Sequence, residues 1–165
     1  LAAHQPTLKI FATEASQAAL EIAKSNAASY NVISRITFLQ GNLLEPLSEF
    51  FSASQDSRPL TLDSRLSFIA ANLPYIPSKV IDTLAPEVRD WEPRAALDGG
   101  PDGLDIIRRL IAEAPRWLRA NGFLALEISP EQVKEVKEML AAAGFSQNRI
   151  IADLSGQSRV VMGIL

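Results

Sequence analysis

Asn72-Leu73-Pro74-Tyr75 sets two hydrogen-bond acceptors and one aromatic face within four residues. Pro74 fixes its own φ and drives Leu73 into an extended conformation, so the carbonyl of Leu73 is aimed rather than free. Together with the side-chain oxygen of Asn72 it offers two neighbouring acceptors, which suit an NH₂ group. A planar group bearing that NH₂ could stack on Tyr75. The plainer alternative is a structural loop with a surface tyrosine. The four residues follow an apolar run, Leu66 to Ala71, that reads as a buried strand. The carboxyl ends of strands are where open α/β sheets bind their ligands.

Glu14 has a similar position, at the carboxyl end of a strand and just ahead of a helix. An acid there can accept both hydroxyls of a ribose, or it can be a solvated strand-end group. Asn42, after Gly41 at the end of the next strand, could hydrogen-bond an adenine or simply form the turn. Other candidates carry less. His4 stands alone, with no carboxylate spacing that suggests a triad or metal site. Trp91 and Trp117 read as core or loop anchors. Asp98, Asp102 and Asp105 are spaced as turn and cap residues, with a magnesium site a poor second. Neither G-x-G-x-x-G nor G-x-x-x-x-G-K-[ST] occurs.

The elements that must position these residues can be read in order. Leu8–Thr13 is β-prone, and Ser16 can cap a helix running to about Tyr30 with Ala19, Leu20, Ala23, Ala27 and Tyr30 on its apolar face. Ile36–Leu39 is a second strand. Residues 45–64 are irregular, with Phe50 and Phe51 in a packed turn and a polar loop over 52–58. After the Leu66 strand comes a short helix at Ser78–Leu84 and a turn-rich stretch from Trp91 to Asp102. Asp102 can cap a helix to about Ala120, lined by Leu104, Ile107, Ile111, Ala114 and Leu118. Pro115 lies inside that stripe and costs ~3 kcal/mol unless a kink absorbs it.

Gly122 opens the next strand, Phe123–Ile128, whose nearly continuous apolar text suits a strand covered on both faces. Ser129-Pro130-Glu131-Gln132 is a helix start, with Gln132 reaching back to the cap. Val133, Val136, Leu140 and Ala143 line that helix, and Gly144 ends it. Arg149–Asp153 and Arg159–Leu165 are strands joined too tightly to be anything but antiparallel. The alternation implies an α/β fold: a mostly parallel sheet with helices on both faces and a closing antiparallel hairpin.

The bulk properties agree with one compact domain over residues 1–165. Hydrophobic residues make up 47% and charged residues 21% of the 165, a globular balance. A net charge of −3 argues against binding nucleic acid by bulk electrostatics. The absence of cysteine excludes disulfides and thiolate metal sites. No apolar run is long enough to span a bilayer, and a cytoplasmic location is expected.

The motifs in combination resemble the HemK/PrmC family, the peptide chain release factor glutamine methyltransferases. Asn72-Leu73-Pro74-Tyr75 is similar to the Asn-Pro-Pro-Tyr motif of methyltransferases that modify planar amino groups. Ala12-Thr13-Glu14, Gln40-Gly41-Asn42-Leu43-Leu44-Glu45-Pro46-Leu47, the run Glu92-Pro93-Arg94 to Leu97-Asp98-Gly99-Gly100, Leu126-Glu127-Ile128 and Asp153-Leu154-Ser155-Gly156 extend the likeness over nearly the whole chain. The resemblance implies a Rossmann-like class I fold that uses S-adenosylmethionine. It also implies methyl transfer to the glutamine amide in the Gly-Gly-Gln loop of a release factor, with no direct nucleic-acid or membrane partner. By that match Glu14 holds the ribose, and Asn42 and Leu43 lie by the adenine. Asn72 and the Leu73 carbonyl accept the two amide hydrogens, beside Pro74 and Tyr75. No metal is implied.

The sequence also departs from the family pattern. Leu73 replaces the first proline, which keeps the carbonyl but removes one constraint on the loop. Asn42 stands where an aspartate is common, so an adenine amino group meets a neutral acceptor. The family's first strand, its Gly-rich loop and its helical domain have no counterpart, so the chain reads as a fragment. As such it is expected to bind S-adenosylmethionine weakly or not at all, an expectation that micromolar binding in calorimetry would overturn. Two other readings stay open. One is a truncated, non-catalytic α/β module. The other is a related methyltransferase acting on another protein glutamine or an adenine amino group.

Overall fold

A computed structural model describes residues 1–53 and 65–165. The chain divides into two compact units, Leu1–Pro59 and Leu60–Leu165.

In the first unit β1 (Ile10–Glu14) runs parallel to β2 (Ile36–Gln40), in register from Ile10 opposite Ile36 to Glu14 opposite Gln40. The connection between them contains α1 (Gln17–Ser29). Ser16 caps this helix, its hydroxyl accepting the N–H of Ala19 at 3.3 Å. Leu20 and Ala27 are buried, but Ala19 and Tyr30 are exposed. Tyr30 lies past the last helical residue as the C-cap, which takes it off the apolar face the spacing assigned to it.

Adjacent strand residues point to opposite faces. Ile10, Ile36 and Phe38 pack with Ala2, Ala27 and Val32. Phe11 turns the other way and meets the rings of Phe50 and Phe51 at 5.4 and 5.5 Å. Those two rings sit on α2 (Glu45–Ala53), a helix where the sequence suggests an irregular packed turn. Leu47, Phe50 and Phe51 recur at helical spacing, and Pro46 in the first turn needs no helical N–H partner. Of the polar loop expected over 52–58, Ser52 and Ala53 are instead the last residues of α2, and 54–58 lie outside the described residues.

The second unit is a four-stranded sheet in the order β3-β4-β6-β5. β3 (Leu66–Ala71) and β4 (Leu118–Glu127) are parallel; β6 (Ser158–Ile164) is antiparallel to both β4 and β5 (Ser146–Ala152). The antiparallel closing hairpin is as expected. β1 and β3 each lie at an edge of their own sheet among the described residues.

β4 starts at Leu118, earlier than the Gly122 start expected. Leu118 pairs with Leu66, and the ladder then shifts before resuming at Phe123 opposite Phe68. Asn121 absorbs the irregularity with a φ of 59°, a conformation asparagine tolerates better than most residues. Leu124, Leu126 and Ile128 are fully buried. Phe123, Ala125 and Glu127, on the alternate face, are only half-buried, so the strand is not covered equally on both sides.

Two one-turn helices, α3 (Pro86–Arg89) and α4 (Arg94–Leu97), precede the long α5 (Asp105–Trp117). The stripe Leu104, Ile107, Ile111, Ala114 and Leu118 is buried as expected. The cap differs: Leu104 occupies the N-cap position, and Asp102 instead accepts the N–H of Leu104 at 3.0 Å from two residues earlier. Pro115 returns no N–H to the Ile111 carbonyl, and the helix ends two residues later, at Trp117. Trp117 is buried, whereas Trp91 is 85% exposed and anchors no core. After a 3₁₀ turn (Pro130–Gln132), α6 (Val133–Ala142) buries Val136 and Leu140 and packs on β5, β6 and α5.

Candidate functional site

The Asn72–Tyr75 loop leaves the carboxyl end of β3, where Ala71 pairs with Leu126. Asn72 is exposed; Leu73, Pro74 and Tyr75 are half-buried. The loop is fastened immediately downstream by a parallel bridge between Ile76 and Asp98. The Ile76 N–H donates to the Leu97 carbonyl at 3.0 Å, the Gly99 N–H donates to the Ile76 carbonyl at 2.9 Å, and the Ser78 N–H donates to the Gly100 carbonyl at 2.9 Å. The Ser78 hydroxyl also donates to Asp98 Oδ1 at 2.6 Å, and the Gly100 N–H reaches the same oxygen at 3.0 Å. The Ser78 bond is the leading reason the Asp98 carboxyl is held below the usual range.

Gln132 supplies the second fastening. It is 7% exposed. Its Nε2 donates to the Tyr75 carbonyl at 2.9 Å and to the Gly103 carbonyl at 3.2 Å, while its Oε1 accepts the Ser129 N–H at 3.1 Å. A buried amide is tolerable only when its groups are bonded in this way. Two glycines let these backbones approach. A Cβ on Gly103, whose φ is +78°, would stand 2.3 Å from the Tyr75 carbonyl oxygen; one on Gly99 would stand 2.7 Å from the Pro74 oxygen. The Leu97-Asp98-Gly99-Gly100 run is therefore the physical mount of the Asn72–Tyr75 loop.

The Tyr75 hydroxyl donates to Glu127 Oε1 at 3.3 Å. Burial raises the phenol above its ordinary pKa and the Glu127 charge adds to this, with Arg159 acting in the opposite direction. Arg159 in turn donates through its guanidinium to Asp153 Oδ2 at 3.3 and 3.4 Å. The Asp153 carboxyl is lowered to about 2, first by the Ser155 hydroxyl.

In the first unit, Glu14 and Asn42 lie at the same ends of two paired parallel strands. Glu14 Oε1 accepts the Ser16 N–H at 2.8 Å, and its backbone carbonyl accepts the Gly41 N–H at 3.0 Å. Asn42 is exposed and its carbonyl accepts the Glu45 N–H at 3.1 Å; Leu43 is buried with a φ of 49°. The structure thus gathers Glu14, Asn42 and Leu43 in one unit and Asn72–Tyr75 in the other. Asp98, Asp102 and Asp105 act as turn and ion-pair groups, the last two sharing Arg108. His4 is exposed.

Sequence reasoning missed Gln132 and Glu127 as supports of the loop. Gln132 was legible as a capping residue, but the carbonyl it holds is 57 positions away. Glu127 had one signal: an acid ending an otherwise apolar strand, at the end of the sheet where ligands bind.

The fold is that of the class I methyltransferases. The chain superposes on a methyltransferase from Pyrococcus furiosus with a TM-score of 0.58 at 14% identity, over 94% of this chain and 62% of that one. On a ribosomal protein L11 methylase from Lactobacillus delbrueckii subsp. bulgaricus the TM-score is 0.53 at 20% identity, over 94% and 56%. No family model matches the chain. By sequence it is similar to release factor glutamine methyltransferases. It is 41% identical to the one from Caulobacter vibrioides over 98% of this chain and 51% of that protein. It is also 41% identical to the one from Moorella thermoacetica over 96% and 51%. The chain spans about half the length of these curated relatives.

Proposed function

We propose that the protein transfers a methyl group from S-adenosylmethionine to the side-chain amide of a glutamine, that of the Gly-Gly-Gln loop of a peptide chain release factor. The observation that carries this is the Asn72–Tyr75 loop. It sets the Asn72 side chain, the Leu73 carbonyl and the Tyr75 ring at the end of β3, on a mount of hydrogen bonds from Asp98, Gly99, Gly100 and Gln132, in a chain similar over nearly its whole length to release factor glutamine methyltransferases.

In this reading Asn72 Oδ1 and the Leu73 carbonyl accept the two hydrogens of the substrate amide, and Tyr75 packs on its plane, with Pro74 aiming the carbonyl. An amide nitrogen is a poor nucleophile because its lone pair is delocalised into the carbonyl. Two fixed acceptors orient the NH₂ and favour the pyramidal nitrogen needed for attack, so positioning supplies most of the rate. The proton can leave after transfer, so no strong base is required of the loop.

The residues present suit the nucleoside end of the cofactor. Glu14, a half-buried carboxylate at a strand end with one oxygen on the Ser16 N–H, is the acceptor for the ribose hydroxyls. Asn42 and Leu43 flank the adenine. When bound, S-adenosylmethionine supplies an electrophilic methyl that needs no acid or metal to activate it.

The test incubates the full-length gene product with a release factor and methyl-labelled S-adenosylmethionine, then locates the label by peptide mass. Label on the glutamine amide is expected, and Asn72→Ala should lower transfer about 100-fold, as loss of a positioning contact does. Asn72 is exposed, so the variant should unfold at the same denaturant concentration. Undiminished transfer in that variant contradicts the role given to Asn72; label on an adenine refutes the substrate.

A further inference from the structure

We infer that Glu127, at the carboxyl end of β4, is the positioning residue for the Tyr75 ring, acting through the phenol hydroxyl and leaving the substrate to the loop. This rests on the reading of the loop as an amide-methylating site.

The backbone around Tyr75 is already fixed. Its carbonyl is held by Gln132, and Ile76 is bonded through its N–H to Leu97 and through its carbonyl to Gly99. What the backbone cannot fix is the ring, which turns about two side-chain bonds. A ring that packs on a planar amide must keep one orientation, or the amide nitrogen wanders from the line of methyl transfer. The hydroxyl-to-carboxylate bond to Glu127 supplies that constraint at the far end of the ring.

Glu127 is itself well anchored. It pairs with Val160 in the β4–β6 ladder, and the next residue, Ile128, donates its N–H to the Arg159 carbonyl at 3.0 Å. The charges around the phenol are Glu127 from β4, Arg159 from β6, and Asp153 behind Arg159; Glu131 also feels Arg159. Arg159 donates to Asp153 and also acts on the phenol and on Glu127. Glu127 takes the phenol hydrogen, and it favours Tyr75 as a neutral donor because a phenolate there would face a carboxylate.

Two measurements test this, one of them independent of activity. These 165 residues hold two tyrosines, so a Tyr30→Phe variant of this chain carries Tyr75 as its single phenol. Its ionisation, followed by tyrosinate absorbance, should lie above the ordinary tyrosine value, and should fall in both Glu127→Ala and Glu127→Gln. A titration that neither variant moves overturns the pairing, whatever the enzyme does.

The second measurement is a double-mutant cycle on methyl transfer. Glu127→Ala should lower kcat about 10-fold with KM for the release factor unchanged, and Glu127→Gln, which keeps an acceptor, should recover most of it. Glu127→Ala added to Tyr75→Phe should have no further effect. An equal loss in both backgrounds shows that Glu127 acts otherwise and overturns the proposal. If the titration shifts and no glutamine is methylated by the wild-type protein, the pairing stands and the substrate reading is what has failed.

Discussion

Gly103→Ala should be far more damaging than its one methyl group suggests, and a second glycine provides the control. Gly103 has a φ of +78° and Gly144 a φ of +91°. Alanine at either position pays for the left-handed backbone, about 1–2 kcal/mol. Around Gly144 a Cβ meets nothing within 4 Å. At Gly103 it would lie 2.3 Å from the Tyr75 carbonyl oxygen and 2.8 Å from Gln132 Nε2, closer than any real contact. One of these partners must move, and the Gln132 bridge between the Tyr75 and Gly103 carbonyls is what breaks. Leaving a buried amide or carbonyl without a partner costs about 1–3 kcal/mol. Gly103→Ala is therefore expected to lose about 2–5 kcal/mol and to exceed Gly144→Ala by about 1–3 kcal/mol. Urea unfolding of both variants, compared at the same m-value, measures the difference. Transfer by Gly103→Ala should also fall, because the displaced carbonyl belongs to Tyr75. If Gly103→Ala proves no less stable than Gly144→Ala, the loop is not mounted as described.

Two further outcomes are expected. Glu14→Gln in the full-length gene product keeps an acceptor for the Ser16 N–H but loses the charge, so S-adenosylmethionine affinity in calorimetry should drop about 10-fold or more while thermal stability holds; unchanged affinity removes Glu14 from the ribose. Asp153 has a folded pKa of about 2 against an unfolded value of 3.8. Its contribution to stability is therefore complete above the unfolded value and is lost as pH falls towards 2. Asp153→Asn should flatten the pH dependence of unfolding in that acid window and leave it unaltered near neutrality; a curve that superimposes on the wild type rules this out.

The parts of the fold written in short stretches of sequence were the legible ones. The Ser16 cap, the Ser129–Gln132 helix start and the closing hairpin each depend on residues only a few positions apart. α2 was not read because Pro46 and two adjacent phenylalanines look like a turn until Phe11 on β1 gives their rings a partner 39 and 40 positions away. Tyr30 was misplaced for the opposite reason: its spacing is helical, but the helix stops at Ser29. At the candidate site, the position of Asn72–Tyr75 at the end of β3 was legible from one apolar strand and one proline. The groups that hold them could not, because Gln132 reaches Tyr75 across 57 residues and Glu127 reaches it across 52.

Leu73 raises a question that these supports answer. A proline at 73 would restrict the residue before it, Asn72, to an extended conformation. With leucine there, that restriction is absent, and Pro74 governs only Leu73 and itself. Every backbone bond described from Tyr75 to Ser78 lies downstream: the Tyr75 carbonyl on Gln132, Ile76 on Leu97 and Gly99, Ser78 on Gly100. Upstream the chain is held by the β3 ladder as far as Ala71 opposite Leu126. The two fixed ends enclose Asn72, Leu73 and Pro74, a span too short to hold many conformations once one of the three is a proline. Leucine can stand where the Asn-Pro-Pro-Tyr pattern has its first proline because the bonds on either side already confine the backbone of Asn72, Leu73 and Pro74. The sensitivity of the loop therefore lies in its mount, at Gly99, Gly103 and Gln132, more than at Leu73 itself.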